Sequence, residues 1–281
     1  MPRKPISAEL VGLTLPAVTR IWSPRDAILY ALGVGARPAE DLEYVYEGRG
    51  PKVLPTFAVI AGGGAMSAVM RDVDMRLEML LHGEQSVELF RPLPPQAEVT
   101  VTGRITEVWD KGKAAVIGIE SHGFDSDGAL FRTHATLFVR GGGGFGGERG
   151  PASADAAPPA RAADITVAFE TRPEQGAIYR LSGDLNPIHI DPDFALKGGF
   201  PAPFMHGLCT YGVVGRAILR ELCHDDPAAF RAMRGRFADR VGFGDTITTR
   251  IWRDGPGRAL VQAETQDGRI VLSNAEARFT E

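Results

Sequence analysis

Cysteine is scarce: Cys209 and Cys223 are the two in 281 residues. They fall on one helix-like segment about four turns apart, too far for a disulfide, and read as small buried hydrophobes. No Cys/His spacing suits zinc, and no Gly-x-x-x-x-Gly-Lys-Ser/Thr loop offers a phosphate cradle. No apolar run approaches the roughly 20 residues of a membrane helix. Positive charge is not in excess either. Lys and Arg number 31 against 35 Asp and Glu, a net −4, which excludes a global basic field for nucleic acid or an anionic membrane surface. An anionic substrate must be held by local cations. The basic start, Met1-Pro2-Arg3-Lys4-Pro5, is followed by no apolar h-region, and Arg278-Phe279-Thr280-Glu281 is not a peroxisomal Ser-Lys-Leu address, so a cytoplasmic location is expected.

What is present is ordinary globular composition, 44% hydrophobic and 23% charged, with length for one large domain or two smaller ones. Gly141-Gly142-Gly143-Gly144-Phe145-Gly146-Gly147 and the later Pro151–Ala160 tract favour a linker over an element. No strand-then-helix context supports reading the glycines as a phosphate loop. The expected division is an N-terminal unit 1–140, a linker 141–163 and a C-terminal unit 164–281.

The two flanks of the linker repeat. Asp26–Gly35 matches Gly176–Asp184, with Tyr30 on Tyr179 at an offset of 149 residues. Glu98–Thr102 matches Thr246–Thr249, with Val99 on Ile247 at an offset of 148. Two matches at nearly one offset argue for a duplicated fold. Phe131, Thr133, Ala135, Leu137 and Val139 alternate with polar neighbours, as do Val271, Ser273, Ala275, Ala277 and Phe279. Both series predict antiparallel strands with one buried face. Residues 206–223 predict a mostly apolar helix, with Leu208, Tyr211, Gly215, Ile218 and Leu222 on one stripe and Gly212 and Gly215 permitting close packing. A buried helix beside several strands makes the class α+β. Gly35 stands where the second copy has Asp184, and nothing like Asn-Pro-x-His follows it. The first copy therefore reads as catalytically empty.

Chemistry concentrates in Tyr179–Pro192. Gly183 offers the positive φ of a helix stop, Asp184 follows at the mouth of a loop, Pro187 stiffens it, and His189 stands three residues after Asn186. Asp and Asn in turns often bond their own backbone, and a lone Gly-Asp-x-Asn would suggest no more than that. The addition of Pro187, His189 and His206-Gly207 favours a site. Asp184 and His189 can hold one water between them, with neutral His189 suited as base near neutral pH. Asn186 would orient the water or the imidazole. Gly207 opens the long helix, so its N–H is an unpaired donor able to meet a developing oxyanion. His206 reads as an orienting, hydrogen-bonded residue.

Gly183-Asp184-x-Asn186-Pro187-x-His189, followed by His206-Gly207, resembles the hydratase 2 motif of the MaoC-like (R)-specific 2-enoyl-CoA hydratases and 3-hydroxyacyl-CoA dehydratases, in particular the hydratase 2 domain of peroxisomal multifunctional enzyme type 2. The resemblance covers nearly the whole chain. It implies a double hot-dog fold, two sheets each wrapped on a helix, and reversible syn hydration of an enoyl-CoA. The residues it assigns to catalysis are Asp184, His189, Asn186 and Gly207. Its substrate contacts fall on His82, Gly83, Lys111, Leu185, Pro187, Ile188 and Phe237, with Lys111 from the Asp110-Lys111-Gly112 turn and Phe237 from the Arg236-Phe237 pair. It implies no metal and no cofactor beyond the CoA thioester substrate, no nucleic-acid or membrane partner, and a homodimer. Acyl length would be set by Pro24–Leu32 and Leu54–Met70. A hot-dog thioesterase would leave Asn186 and His189 unexplained, and a non-catalytic acyl-CoA-binding protein would not need the loop intact.

Overall fold

The computed structural model describes residues 3–151 and 157–281; residues 152–156 of the expected linker lie outside them. The alternating segments build β1 (Thr14–Trp22), β2 (Leu80–Leu89), β3 (Ala97–Asp110), β4 (Ala114–Asp125), β5 (Gly128–Arg140), β6 (Ile165–Glu170), β7 (Phe230–Phe237), β8 (Thr246–Arg253), β9 (Arg258–Thr265) and β10 (Ile270–Phe279). They form one antiparallel sheet ordered β1-β3-β4-β5-β2-β7-β10-β9-β8-β6. Exchanging β1 with β6, β3 with β8, β4 with β9, β5 with β10 and β2 with β7 reverses that order. The repeat in the sequence is therefore a repeat in space. The copies meet where β2 pairs with β7, from Glu84 opposite Arg236 to Glu88 opposite Ala232.

The helices are α1 (Pro24–Gly33), α2 (Leu42–Val45), α3 (Ala58–Ala61), α4 (Gly64–Asp72), α5 (Gln175–Tyr179), α6 (Pro192–Lys197) and α7 (Gly207–Cys223). Among the described residues no helix is long and apolar enough to cross a membrane. Pro24 takes the first position of α1, and the Asp26 carboxylate accepts from the Ser23 N–H at 2.8 Å, which fixes where the helix begins. α7 is buried along most of its length, both cysteines included. Its counterpart at the same offset of 149 starts at Ala58, but there the helix is broken into α3 and α4 around Gly62-Gly63.

The repeated helices α1 and α5 pack on each other. Tyr30 and Tyr179, the aligned pair, are fully buried with ring centroids 6.1 Å apart. A Cβ on Gly33 would stand 3.1 Å from the Tyr179 Cα, so a side chain there would push the helices apart. α7 approaches α1 equally closely, since a Cβ on Gly212 would meet Val34 Cγ1 at 2.3 Å and the Tyr30 hydroxyl at 2.9 Å.

One expectation needs correction. The alternation read along 271–279 does not hold throughout β10, because Leu272 and Glu276 are buried as well. The register shifts between Ser273 and Glu276, where Asn274 takes φ 47°, so a bulge moves the side chains to the other face. The Gly-rich run forms no helix or strand and is anchored at its start. The Asp110 carboxylate accepts the N–H groups of Gly112, Gly144 and Gly146, each at 2.8 Å, clasping the run to the β3–β4 turn.

Substituting Gly212→Val should lower the urea midpoint by the equivalent of about 1–3 kcal/mol through overpacking against Val34 and Tyr30. Equilibrium unfolding measures it, and a variant as stable as the parent would show that the α1–α7 contact is not tight.

Candidate active site

The loop that carries the chemistry is a chain of local hydrogen bonds. The helical stretch α5 and the 3-10 turn Arg180–Ser182 end at Gly183, whose φ of 131° is out of reach of most side chains. Asp184 Oδ1 then accepts from the Asn186 N–H, and Asn186 Oδ1 from the Ile188 N–H, both at 3.2 Å. Pro187–His189 forms a further 3-10 turn. Asn186 therefore serves the turn that presents His189; its carbonyl oxygen bonds the backbone and not the imidazole.

His189 is buried, with 8% of its surface exposed. Its Nδ1 lies 2.8 Å from the Phe204 carbonyl, which can only accept, so Nδ1 carries the proton and Nε2 is left as a base. A ligand atom of Asp184, one of His189 and one of His206 all lie within 4.8 Å of one another. Two hydrogen bonds of about 2.8 Å meeting at a water's tetrahedral angle span about 4.6 Å, a spacing that falls inside that bound. The His189 and His206 rings stack with centroids 3.9 Å apart and planes 29° apart. One nitrogen of each ring is bonded to a backbone carbonyl.

Burial lowers the His189 imidazole below its ordinary range, outweighing the Phe204 carbonyl and the Asp184 carboxylate, which act the other way. His206 is lowered too, first by burial and then by the neighbouring His189. His82 is pushed down to about 4, again mainly by burial. All three imidazoles are neutral at neutral pH.

Asp184 and His189 open onto a cavity of about 1160 Å³ with walls from both copies. The second copy supplies Asp184, Asn186, His189, Gly207 and Phe237; the first supplies Trp22, Phe57, Ile60, Met66, Met70 and His82. Gly207 begins α7 and lines the cavity, and a Cβ there would stand 3.2 Å from the Phe237 ring. Gly83, Leu185, Pro187 and Ile188 also line the cavity, Leu185 at its exposed rim. His82 packs edge-on to Phe237 at 5.0 Å, its Nε2 3.1 Å from the Glu84 carbonyl. Lys111 is not brought to this wall. It lies in the β3–β4 turn with Nζ 3.3 Å from the Pro151 carbonyl. The sequence reading missed Phe204, whose carbonyl sets the tautomer, and Arg240, whose guanidinium covers Phe200 and Phe204 at 5.1 and 6.0 Å. A backbone acceptor carries no sequence signal.

The first copy's counterpart of this site is filled. Gly35 occupies the place of Asp184, and a Cβ there would come within 2.1 Å of the Phe169 ring. Arg37 and Arg216 hold that ring with guanidinium carbons 5.5 and 5.8 Å from its centroid. Arg37-Pro38-Ala39-Glu40 keeps the proline of the active loop and none of its polar groups. What space remains is a separate cavity of about 420 Å³.

Comparison with known proteins gives two family matches: residues 22–141 fit the MFE-2 hydratase 2 N-terminal domain, and residues 153–275 fit the MaoC like domain. Enoyl-CoA hydratase ChsH3 of Mycobacterium tuberculosis is 41% identical over 97% of this chain and 98% of its own length. The mouse peroxisomal multifunctional enzyme type 2 is 38% identical over 94% of this chain, which spans only 37% of that enzyme. Among solved structures, a MaoC-like dehydratase from Phytophthora capsici superposes with a TM-score of 0.88, at 32% identity and 98% coverage of both chains. A Mycobacterium tuberculosis protein described as a double hotdog fold matches with a TM-score of 0.61 at 15% identity over 95% of each chain, which speaks to the fold alone. The ten-stranded sheet with its paired copies is that double hot-dog.

The lowered histidines fix the pH response. A histidine that titrates lower when folded binds fewer protons in the folded than in the unfolded state. Its contribution is complete above the unfolded value of about 6.5 and is lost as pH falls from there toward the folded value. The acid limb of kcat/KM should thus lie below about pH 6.5, and the urea midpoint should fall as pH drops from there toward 4, the value of His82. A pH–rate profile and unfolding curves across that range measure both; an acid limb at or above neutrality would contradict a neutral His189.

Proposed function

The chain belongs to the MaoC-like hydratase 2 family, and from that premise we propose that Asp184 and His189 add water across the double bond of a trans-2-enoyl-CoA to give the (R)-3-hydroxyacyl-CoA. The protein is a hydro-lyase of fatty-acid or related acyl-CoA metabolism, and the same residues run the reverse dehydration. One observation carries the assignment of residues: the Phe204 carbonyl holds His189 as the Nδ1–H tautomer, in a cluster where a ligand atom of His189 and one of Asp184 lie within 4.8 Å.

The steps follow from that placement. Asp184 and His189 Nε2 accept hydrogen bonds from the two O–H groups of one water and aim its oxygen at C3. As the oxygen–C3 bond forms, His189 takes a proton, and the C2=C3 π electrons move onto the thioester oxygen. The Gly207 N–H, at the positive end of α7, meets the charge that develops there. Such a donor is typically worth about 3 kcal/mol in the transition state. The enolate then collapses, and C2 takes the proton from His189 on the face that received the hydroxyl. Both additions on one face make the reaction syn, and no metal or further cofactor enters these steps.

Substrate contacts divide between the copies. His82 and Gly83 from β2 and Phe237 from β7 flank the thioester end, while Leu185, Pro187 and Ile188 form the loop side. The apolar residues of α3, α4 and the turn at Phe57 receive the acyl chain. Lys111, in its partly exposed turn, is assigned to a CoA phosphate beyond the cavity. A homodimer in the cytoplasm completes the proposal; several relatives are named as peroxisomal.

The test is loss of enoyl-thioester absorbance with crotonyl-CoA and longer enoyl-CoAs, with chiral analysis of the product. Asp184→Asn and His189→Ala should each lower kcat by about 10²–10⁴-fold with the fold intact. Full activity in either folded variant would remove that residue from the mechanism, and release of free CoA would mark a thioesterase instead.

A further inference from the structure

The two copies contain an internal comparison that singles out one more residue. At the offset of 149, His206 of the second copy corresponds to Phe57 of the first, just as Tyr179 corresponds to Tyr30. The contacts correspond as well. Tyr30 and Phe57 pack with centroids 5.4 Å apart, Tyr179 and His206 with centroids 4.9 Å apart. The fold therefore asks only for a ring at this position against the tyrosine, and in the silent copy phenylalanine meets the demand.

His206 does more than phenylalanine can. It is 1% exposed, and its Nε2 lies 3.1 Å from the Asp184 carbonyl, to which Nε2–H donates. Its ring lies under His189 at 3.9 Å. Its Nδ1 is buried and bonded to nothing among the described residues. A polar ring with one unpartnered nitrogen costs more to bury than a phenyl ring, so its retention calls for a use of the other nitrogen. We propose that His206 is a positioning residue of the hydration centre: its Nε2–H holds the Asp184 backbone while its face supports His189, so that carboxylate and base stay set on one water. The titratable and charged groups around it are Asp184 and His189 from the loop and Tyr179 and Arg180 from the end of α5. The protein thus contains two histidines stacked in opposite tautomers, His189 with Nδ1–H and His206 with Nε2–H.

The inference rests on the hydratase reading, and the experiment separates the two. His206→Phe restores the silent copy's own packing and removes only the donor. It should fold with an unfolding temperature close to the parent's, lose about 10–100-fold in kcat, as for a reacting group displaced by a fraction of an ångström to 1 Å, and leave KM little changed. His206→Gln places an amide N–H near the same point and should recover part of the lost kcat. A folded His206→Phe with parental kcat, or a glutamine variant no better than phenylalanine, overturns the proposal. A parent that hydrates no enoyl-CoA overturns the reaction and not the positioning. The second measurement needs no variant: ¹⁵N spectra of the six histidines should show His206 neutral with its proton on Nε2 at neutral pH. A proton on Nδ1, or a cationic ring, overturns it whether or not the variants fold.

Discussion

The contact between the ends of α1 and α5 is the constraint on which the rest depends. Gly33 lets Tyr179 approach, Tyr30 and Tyr179 fill the seam, and Gln175 Nε2 donates to the Leu32 carbonyl at 3.0 Å across it. With these ends fixed, β2 and β7 pair and a single sheet runs through both copies. The active loop leaves from the end of α5, so its starting point is set by packing that involves no catalytic group. The hydrogen bonds of the loop then need to determine only the few residues from Gly183 to His189.

Symmetry of fold coexists with asymmetry of chemistry, and the physical reason is visible at each paired position. The second copy has a continuous α7 with a glycine at its start; the first has a broken helix whose residues line the large cavity. The second copy has Asp184 facing that cavity; the first has Gly35 beneath the Phe169 ring. One potential site has been closed by a phenyl ring between two guanidiniums. The other has gained apolar wall from the partner copy's broken helix. A single large site in place of two small ones follows from these few exchanges.

Much of this was legible in the sequence because it is local. Gly183, Asp184, Asn186, Pro187 and His189 sit within seven residues, and each restricts the backbone or bonds a near neighbour, so the order of residues nearly dictates the turn. The duplication was legible because Tyr30 and Tyr179 both face the seam. What could not be read depends on distant contacts. The Phe204 carbonyl meets His189 from fifteen residues away, and any residue type would offer that oxygen. The Phe169 plug belongs to a strand 134 positions from Gly35. The bulge at Ser273 and Asn274 is a property of pairing with β7 and leaves no mark on the alternation. Lys111 is plain in its motif, yet no local rule gives its distance from the cavity.

The Asp110 clasp has a consequence for how the two copies came to differ. Two backbone donors, Gly144 and Gly146, on the Asp110 carboxylate hold the chain just after β5, and the Trp252 indole N–H donates to the Arg161 carbonyl at 3.0 Å just before β6, so the connection is fastened at both ends. Joining the copies in one chain raises the effective concentration of each for the other. Association becomes a property of one chain and no longer depends on how much protein is present. In a dimer of identical subunits, every substitution would appear twice, and a phenyl ring that closed one site would close both. A covalent pair escapes that bookkeeping: each copy can change alone while its neighbour is guaranteed.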